Sequence, residues 1–296
     1  MTDWLAIVRH ISDASGQTFQ IRTNRTVGGG CINSAAVLGD GERHYFVKLN
    51  TAARLGMFEA EAAGLAALAA PRAIRVPTPL CTGVAGGESY LVMEALDLGG
   101  RLDGVRAGRL MARLHRSCAD SFGWQRDNTI GSTPQRNAPC SDWVDFWRRQ
   151  RLGPQLELAA ANGYGGTLGR SGERLLGCLE ALIGHGPPAS LLHGDLWGGN
   201  IGALPGGEPV IFDPAVYHGD RETDLAMTEL FGGFGADFQA AYREAWPLAP
   251  GYATRKVLYN LYHVLNHLNL FGGGYLVQAR GMIERLLAEV GEVTSK

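Results

Sequence analysis

The sequence predicts an α+β fold in two lobes, and three observations lead to this prediction. The chain has 296 residues, more than the roughly 100–200 of a usual domain, although one compact body is the alternative. Strand-like apolar patterns are concentrated before residue 98, and helical patterns fill most of the remainder. Such segregation is typical of α+β folds. We expect an N-terminal lobe over 1–98, with a hinge near 93–98, and a C-terminal lobe over 99–296.

The N-terminal lobe is predicted to contain an antiparallel sheet and a long helix. Glycine turns divide residues 19–49 into three short strands. Residues 55–70 combine strong helix formers with an apolar face, and Pro71 ends this pattern. A short helix at 4–11 and a buried strand at 89–93 complete the predicted lobe.

The C-terminal lobe is predicted to be mostly helical. One short β-like pair at 191–213 interrupts the helices. The helical patterns occupy residues 101–118, 142–161, 168–183, 223–246, 253–270 and 276–291.

Charge and cysteine content exclude several classes of function. Lys and Arg total 27 against 29 Asp and Glu, a balance that does not suit nucleic acid or an anionic membrane as a partner. Five cysteines without a CxxC pair predict neither a disulfide framework nor a zinc site. The amino-terminal segment lacks the apolar core of a secretion signal, and no run is long enough to span a bilayer. We expect a cytoplasmic protein with a small partner; the oligomeric state is open, and a monomer is compatible.

Two carboxylates and an amide in the C-terminal half have the chemistry of phosphoryl transfer. Asp195 follows an apolar strand, Asn200 lies five residues later, and Asp213 ends a second apolar strand. A kinase needs a carboxylate that orients or accepts the proton of the attacking hydroxyl, and oxygen ligands for Mg²⁺. Asp195 suits the first role, and Asn200 and Asp213 suit the second. Turn formation explains any one of these residues, but the ordered set favours a kinase that uses ATP and Mg²⁺.

Lys48 lies inside an otherwise apolar strand, where an unpaired ammonium group would be costly. Glu61, on the predicted helix, is placed to pair with Lys48 and hold it toward the α and β phosphates of a nucleotide. Glu59 is about 200° around the same helix and should face elsewhere. A lysine that simply emerges at a strand end is the alternative.

Gly28, Gly29 and Gly30 form a glycine-rich loop between two predicted strands. Such a loop suits the covering of nucleotide phosphates, although the spacing is not GxGxxG and the triplet by itself favours a flexible hairpin. Cys31 would then lie near the nucleotide, and the sequence leaves open whether its thiol has a redox role.

These motifs, in this order, resemble the protein-kinase-like fold in its aminoglycoside-phosphotransferase-type branch. HGD replaces HRD, an Asp-Pro turn replaces the DFG glycine, and no long activation segment follows, so a small substrate is favoured. Within that branch the chain is similar to the fructosamine kinase (ketosamine-3-kinase) family over nearly its whole length. The segments that carry this resemblance are GGGCIN (28–33), FVKLN (46–50), MFEAEAAGL (57–65), IGSTPQRN (130–137), HGDLWGGN (193–200), DRETDLAMTELFGGF (220–234) and LYNLYHVLNHLNLFGGGY (258–275).

The resemblance implies ATP-dependent phosphorylation of the sugar 3-hydroxyl of ketoamines, meaning fructosamines or ribulosamines carried by small or protein-bound amines. Because the 3-phosphate is unstable, the implied activity is deglycation repair. The implied site residues are Asp195 as catalytic base, Asn200 and Asp213 as Mg²⁺ ligands, Lys48 and Glu61 as the phosphate-orienting pair, and Met93, Glu94, Ala95 and Leu96 as the adenine hinge.

Three positions around this motif each keep two interpretations. Trp197 either stacks on the apolar face of the sugar or packs the loop. His193, although a candidate substrate contact, is better explained as a hydrogen-bonding residue that fixes the loop. Asp224 either braces the catalytic loop or caps its helix, and the sequence favours capping.

Aromatic and histidine residues recur at helical spacing near the C-terminus. This spacing favours packing over a substrate-pocket wall. His263 and His267 lack a third ligand, so we predict no zinc site. The run consists of Tyr259, Tyr262, His263 and His267.

Two other functions are compatible with the sequence: another small-molecule kinase of the same fold, and a nucleotide-binding pseudokinase. The presence of a base, two metal ligands and a lysine disfavours the pseudokinase. If the chain is a kinase, we expect Lys48, Asp195, Asn200 and Asp213 to act around one triphosphate.

Overall fold

The computed structural model describes residues 2–28 and 32–293 and divides the chain into two compact units. The first unit comprises the chain through Asp103 together with Asn200–Pro214. The second comprises Gly104–Gly199 and the chain from Ala215 onward. The division of function at residue 98 stays a prediction.

The strands are short, and most pair antiparallel. They are β1 (Thr23–Val27), β2 (Ser34–Gly39), β3 (His44–Thr51), β4 (Pro79–Ala85), β5 (Glu88–Glu94), β6 (Cys118–Ala119), β7 (Asn128–Ile130), β8 (Thr133–Gln135), β9 (Ala189–Leu192), β10 (Ile201–Ala203), β11 (Pro209–Ile211) and β12 (Tyr217–Gly219).

Most of the helices belong to the second unit. They are α1 (Trp4–Ser15), α2 (Leu55–Ala69), α3 (Gly104–His115), α4 (Trp143–Phe146), α5 (Gly153–Ala159), α6 (Gly166–Gly177), α7 (Leu179–Ile183), α8 (Glu222–Leu230), α9 (Ala236–Ala245), α10 (Tyr252–Phe271) and α11 (Leu276–Val293). Among the described residues, none of these helices is long and apolar enough to cross a membrane.

A five-stranded antiparallel sheet in the order β1-β2-β3-β5-β4 forms the centre of the first unit. β3, which contains Lys48, lies between β2 and β5, with Lys48 opposite Ala35 on one side and Leu91 on the other. Because both edges of β3 are paired, its backbone is fixed and the direction of the Lys48 side chain is fixed with it.

Helix α1 covers this sheet with an apolar face. Ile7 and Ile11 are fully buried and belong to the same core cluster as Val47 and Val92 of the sheet. The Asp3 side chain caps the helix by accepting a hydrogen bond from the Ala6 N–H at 3.1 Å, and Gly16 ends it with a left-handed backbone. The predicted helix at 4–11 is therefore confirmed and continues to Ser15.

Strand β4 was not predicted from the sequence. The two prolines in Val76-Pro77-Thr78-Pro79 favour a stiff loop rather than a strand. β4 begins at Pro79 and forms the edge of the sheet, where a proline at the first position removes no hydrogen bond that the sheet requires.

The first and last strands of the predicted β pair at 191–213, β9 and β11, do not pair with each other. β9 pairs with β6 and β12 inside the second unit, whereas β10 and β11 form a hairpin that belongs to the first. The Ile211 N–H donates to the Arg75 carbonyl at 3.0 Å, and the Gly100 N–H donates to Ala203 at 3.0 Å. These partners are more than 100 residues away in the chain, so local patterns could not identify them.

The helical interpretation of the second unit is confirmed with two corrections. The predicted helix at 168–183 is two helices, α6 and α7, separated at Cys178. The predicted helix at 223–246 is two helices, α8 and α9, separated by the glycine-rich turn at 231–235. Gly232 and Gly233 have φ values of 78° and 97°, which lie in the left-handed region and end a right-handed helix.

Candidate active site

Lys48, Glu61 and Asp213 meet inside the first unit. The Lys48 Nζ lies 2.6 Å from Oε1 of Glu61 and 2.5 Å from Oδ1 of Asp213. β3 supplies the lysine, α2 the glutamate, and the segment after β11 the aspartate. The expected pairing of Lys48 with Glu61 is present, and Glu59 is exposed as expected.

Electrostatics keep Lys48 charged although it is buried. Burial by itself would lower the pKa of Lys48, but the charges of Glu61 and Asp213 outweigh burial and raise that pKa above its usual value. For Glu61, burial raises the pKa, and the charge of Asp213 adds to this effect while Lys48 opposes it. The cation is therefore held between two acids, with Asp213 the more exposed of the two.

Asp213 adopts a left-handed backbone with φ of 57°, which is uncommon outside glycine and is often found at functional sites. Its side chain is 47% exposed, and among the described residues its Oδ2 has no hydrogen-bond partner. Asn200 is buried beside it and donates from Nδ2 to the Asp213 carbonyl at 3.4 Å. One carboxylate oxygen is thus held by Lys48, while the other is available to a ligand.

The residues predicted to form the hinge, and Gly28, belong to the first unit. The Glu94 side chain accepts hydrogen bonds from Arg75, and the Glu94 and Ala95 N–H groups donate to Thr78 and His44. The adenine contacts expected of Met93, Glu94, Ala95 and Leu96 stay a prediction. Gly28 has open space where a side chain would be, whereas Gly29, Gly30 and Cys31 lie outside the described residues.

The loop that bears Asp195 is part of the second unit. His193 is fully buried, and its Nδ1 accepts a hydrogen bond from the Asp195 N–H at 3.3 Å. Gly194 has φ of 82°, and a Cβ there would collide with the Ala215 carbonyl. The glycine of HGD is therefore required by the backbone, and His193 fixes the loop, the role that the sequence favoured.

Asp224 braces this loop, and the capping role that the sequence favoured is wrong. Its fully buried carboxylate accepts hydrogen bonds from the His193 N–H at 2.7 Å and the Gly194 N–H at 2.9 Å. His115 Nε2 lies 3.1 Å from the same group. Arg221, not Asp224, occupies the N-cap position of α8. The position near the start of a helix suggested a cap, but the tertiary contacts determined the role.

The environment of Asp224 favours its ionised form. Burial opposes ionisation, but the hydrogen bond and charge of His115, the charge of His193 and the Gly194 N–H lower the pKa of Asp224 below its usual value. A carboxylate with a lowered pKa stabilises the fold fully above its ordinary pKa, and that stabilisation is lost as the pH falls through the lowered value.

Asp224→Asn should destabilise the protein by about 2–3 kcal/mol near neutral pH, because one buried N–H loses its acceptor and the carboxylate charge is removed. Urea unfolding at pH 7 and at pH 2.5, which lies below the ordinary carboxyl pKa of 3.8, tests this. The loss in free energy of unfolding relative to wild type should be smaller at the lower pH. Glu284→Gln, which changes an exposed carboxylate in the same unit, is the control and should have little effect. An equal loss of stability at both pH values would contradict an ionised Asp224 carboxylate.

Comparisons with known proteins bear on this geometry. A family model described as "Fructosamine kinase" matches residues 3–289. The chain belongs to the fructosamine kinase family. A protein of Synechocystis named as a probable ketoamine kinase is 50% identical over 287 residues, covering 96% of this chain and 97% of the relative. The chloroplastic protein-ribulosamine 3-kinase of Arabidopsis thaliana is 43% identical over 277 residues, covering 92% and 85%.

A solved structure of a Haemophilus somnus protein provisionally named a fructosamine-3-kinase matches with a TM-score of 0.89 and 29% identity, covering 96% of this chain and 97% of that one. The predicted kinase-like α+β fold is confirmed, and so is the predicted enzyme class, a phosphotransferase that uses ATP. This member of the fructosamine kinase family has Lys48 and Glu61 in its first unit and Asp195 in its second.

In this family member, Tyr259, Tyr262 and His263 of the aromatic run have the packing role that its spacing favoured. The hydroxyl of Tyr259 donates to Asp220 at 2.6 Å, and that of Tyr262 donates to Gln135 at 2.7 Å, both in buried positions. His263 is also buried, and burial lowers its pKa to about 3. A neutral, enclosed imidazole suits packing.

The IGSTPQRN segment holds a part of the chain that follows Asp213 in sequence, a role that sequence reasoning missed. Gln135 donates from Nε2 to the Ala215 carbonyl at 3.1 Å. Asn128, just before the segment, donates from Nδ2 to the Val216 carbonyl at 2.8 Å. Both side chains are buried. The only signal in the sequence was the presence of amide side chains in a loop motif. The backbone carbonyls that accept their hydrogen bonds lie about 80 residues away, so no local pattern identifies them.

Proposed function

We propose that this chain transfers the γ-phosphate of ATP to the sugar 3-hydroxyl of a ketosamine, a fructosamine or ribulosamine, in the cytoplasm. The observation that carries the proposal is the meeting of Lys48, Glu61 and Asp213. A buried cation is held between two acids, and the second carboxylate oxygen of Asp213 has no partner among the described residues. Its relatives are named as ketoamine and protein-ribulosamine kinases, which supports this substrate class.

In the proposed reaction Asp195 accepts the proton of the sugar 3-hydroxyl. The hydroxyl oxygen forms a bond to the γ-phosphorus, the bond from that phosphorus to the bridging oxygen breaks, and ADP leaves. Lys48 binds the α and β phosphates, and Glu61 keeps its ammonium group in place. Hydrogen bonds to His193 and Asp224 fix the loop that carries Asp195, so little reorganisation is needed during transfer.

The residues of the first unit fit a magnesium ion. Asp213 has a free carboxylate oxygen in a half-exposed position, and the adjacent Asn200 contributes an amide oxygen to the donor set. Oxygen donors of this kind, completed by phosphate and water, are what Mg²⁺ prefers. We propose that Asn200 and Asp213 hold Mg²⁺, which would neutralise charge on the phosphates.

Incubation with Mg·ATP and a fructosyl or ribulosyl amine should release ADP and yield the sugar 3-phosphate, and omission of Mg²⁺ should abolish the release. A panel of fructosyl, ribulosyl and erythrulosyl amines, measured by coupled ADP detection and phosphorus NMR, tests this and identifies the sugar. Turnover of an aminoglycoside or an amino alcohol, with none of any ketoamine at millimolar concentration, would instead indicate another small-molecule kinase. Nucleotide binding without any turnover would indicate a pseudokinase.

A further inference from the structure

A continuous row of aromatic rings leads away from the catalytic loop within the second unit. Ring centroids are 6.4 Å apart between Trp197 and Phe231 and 4.7 Å apart between Phe231 and His267. From His267 the row continues to Phe271 at 5.4 Å and to Tyr275 at 5.2 Å. We call these five residues the aromatic ladder.

Among the residues that the structure describes, every Phe, Trp or Tyr with an exposed side chain belongs to the ladder. Trp197, Phe231 and Phe271 are 38%, 38% and 56% exposed, whereas the other rings are half-buried or buried. Isolated apolar residues on a surface need no explanation, but a connected row of large apolar groups indicates a binding surface.

The inner end of the ladder is fixed to the loop of the catalytic base. The Trp197 N–H donates to the Asp195 carbonyl at 3.2 Å, and the Gly198 N–H donates to the Gly232 carbonyl at 3.1 Å. A Cβ on Gly198 would lie only 2.7 Å from the Cα of Gly233, so both glycines are needed for this close approach. Phe231 is therefore held beside Trp197, and the ladder starts next to the reacting group.

We propose that the outer part of the ladder, Phe271 and Tyr275, binds the amine-bearing portion of the substrate, a lysine side chain in a peptide or protein segment. The inference rests on the proposed function, which places the sugar 3-hydroxyl at Asp195, and takes Trp197 as the ring on which the sugar stacks. A sugar covers about one aromatic ring. A sugar stacked on Trp197 therefore does not reach the outer rings, Phe271 and Tyr275.

The chemistry of a lysine-borne ketosamine matches the order of the rings. Carbon 1 of the sugar carries a secondary ammonium group, which aromatic rings attract through the cation–π interaction. Four methylene groups follow, and these gain free energy by covering apolar rings. A ketosamine of methylamine has the sugar and the ammonium group but nothing that reaches Phe271.

Phe271→Ala should raise KM for a ribulosyl-lysine peptide about tenfold, which corresponds to about 1.4 kcal/mol. It should leave kcat unchanged and change KM for ribulosyl-methylamine by less than about twofold. Steady-state ADP release with both substrates measures this. Val277→Ala, which removes an 80% exposed apolar side chain outside the ladder, is the matched control and should alter neither substrate. Phe271 is exposed at the end of α10, so folding of the variant is expected and is checked by its Tm.

Equal effects on both substrates, or none on either, would overturn the inference while the proposed function stands. A change of oligomeric state in Phe271→Ala, seen by light scattering, would overturn it by showing that a second copy covers the ladder. If wild type turns over neither ketosamine, the proposed function fails and the inference fails with it.

Discussion

Asp195→Asn should lower kcat by about 10²-fold or more while the Kd for ATP stays near its wild-type value. The amide cannot accept the proton of the sugar hydroxyl, and loss of a positioned base has this scale of effect. The side chain is half-buried on a loop whose backbone is fixed by other groups, so the substitution should leave the loop in place. Steady-state ADP release and calorimetric titration with ATP measure the two quantities.

Asp120→Asn is the control for this experiment, because it removes an exposed carboxylate from the same unit. It should retain full activity. A parallel loss of ATP affinity in Asp195→Asn would contradict the role of base and would indicate that Asp195 binds the nucleotide or its metal.

Lys48→Met should destabilise the protein by about 3–5 kcal/mol and abolish measurable ADP release. The substitution leaves the carboxylate of Glu61 buried without its cation, and removal of one partner from a buried pair has a cost of this size. The double variant Lys48→Met/Glu61→Leu removes both charges and should recover most of the stability, but it should remain inactive because no ammonium group binds the phosphates. Urea unfolding and the ADP assay distinguish these two effects.

Glu59→Gln provides a matched change on α2, since Glu59 is exposed on the same helix two residues from Glu61. It should be close to wild type in stability and activity. If the double variant were as unstable as Lys48→Met, the destabilisation would come from lost packing of the lysine stem rather than from an unpaired charge.

Local chemistry in the sequence was sufficient to predict the Lys48–Glu61 pair. A lysine inside an apolar strand needs a counter-charge, and helical periodicity distinguished Glu61 from Glu59. The same kind of reasoning found most helices and most strands of the first unit, because burial along each element sets its apolar periodicity.

Features that depend on distant contacts could not be predicted in this way. The carboxylate of Asp224 is held by N–H groups about 30 residues earlier in the chain, and no local pattern reports them. The break between α8 and α9 depends on two glycines that a helical pattern tolerates, and that break places Phe231 beside Trp197. The aromatic ladder was therefore absent from the sequence interpretation, although its residues were all present in the motifs.

The return of Asn200–Pro214 to the first unit has a consequence for biosynthesis. A ribosome adds about 5–20 residues per second, so roughly 5–20 s separate the emergence of Asp103 from that of Asn200. Throughout that interval the nascent N-terminal portion has Lys48 and Glu61 but lacks Asp213 and the hairpin that joins Arg75. The first unit therefore cannot be completed until nearly three quarters of the polypeptide has been synthesised.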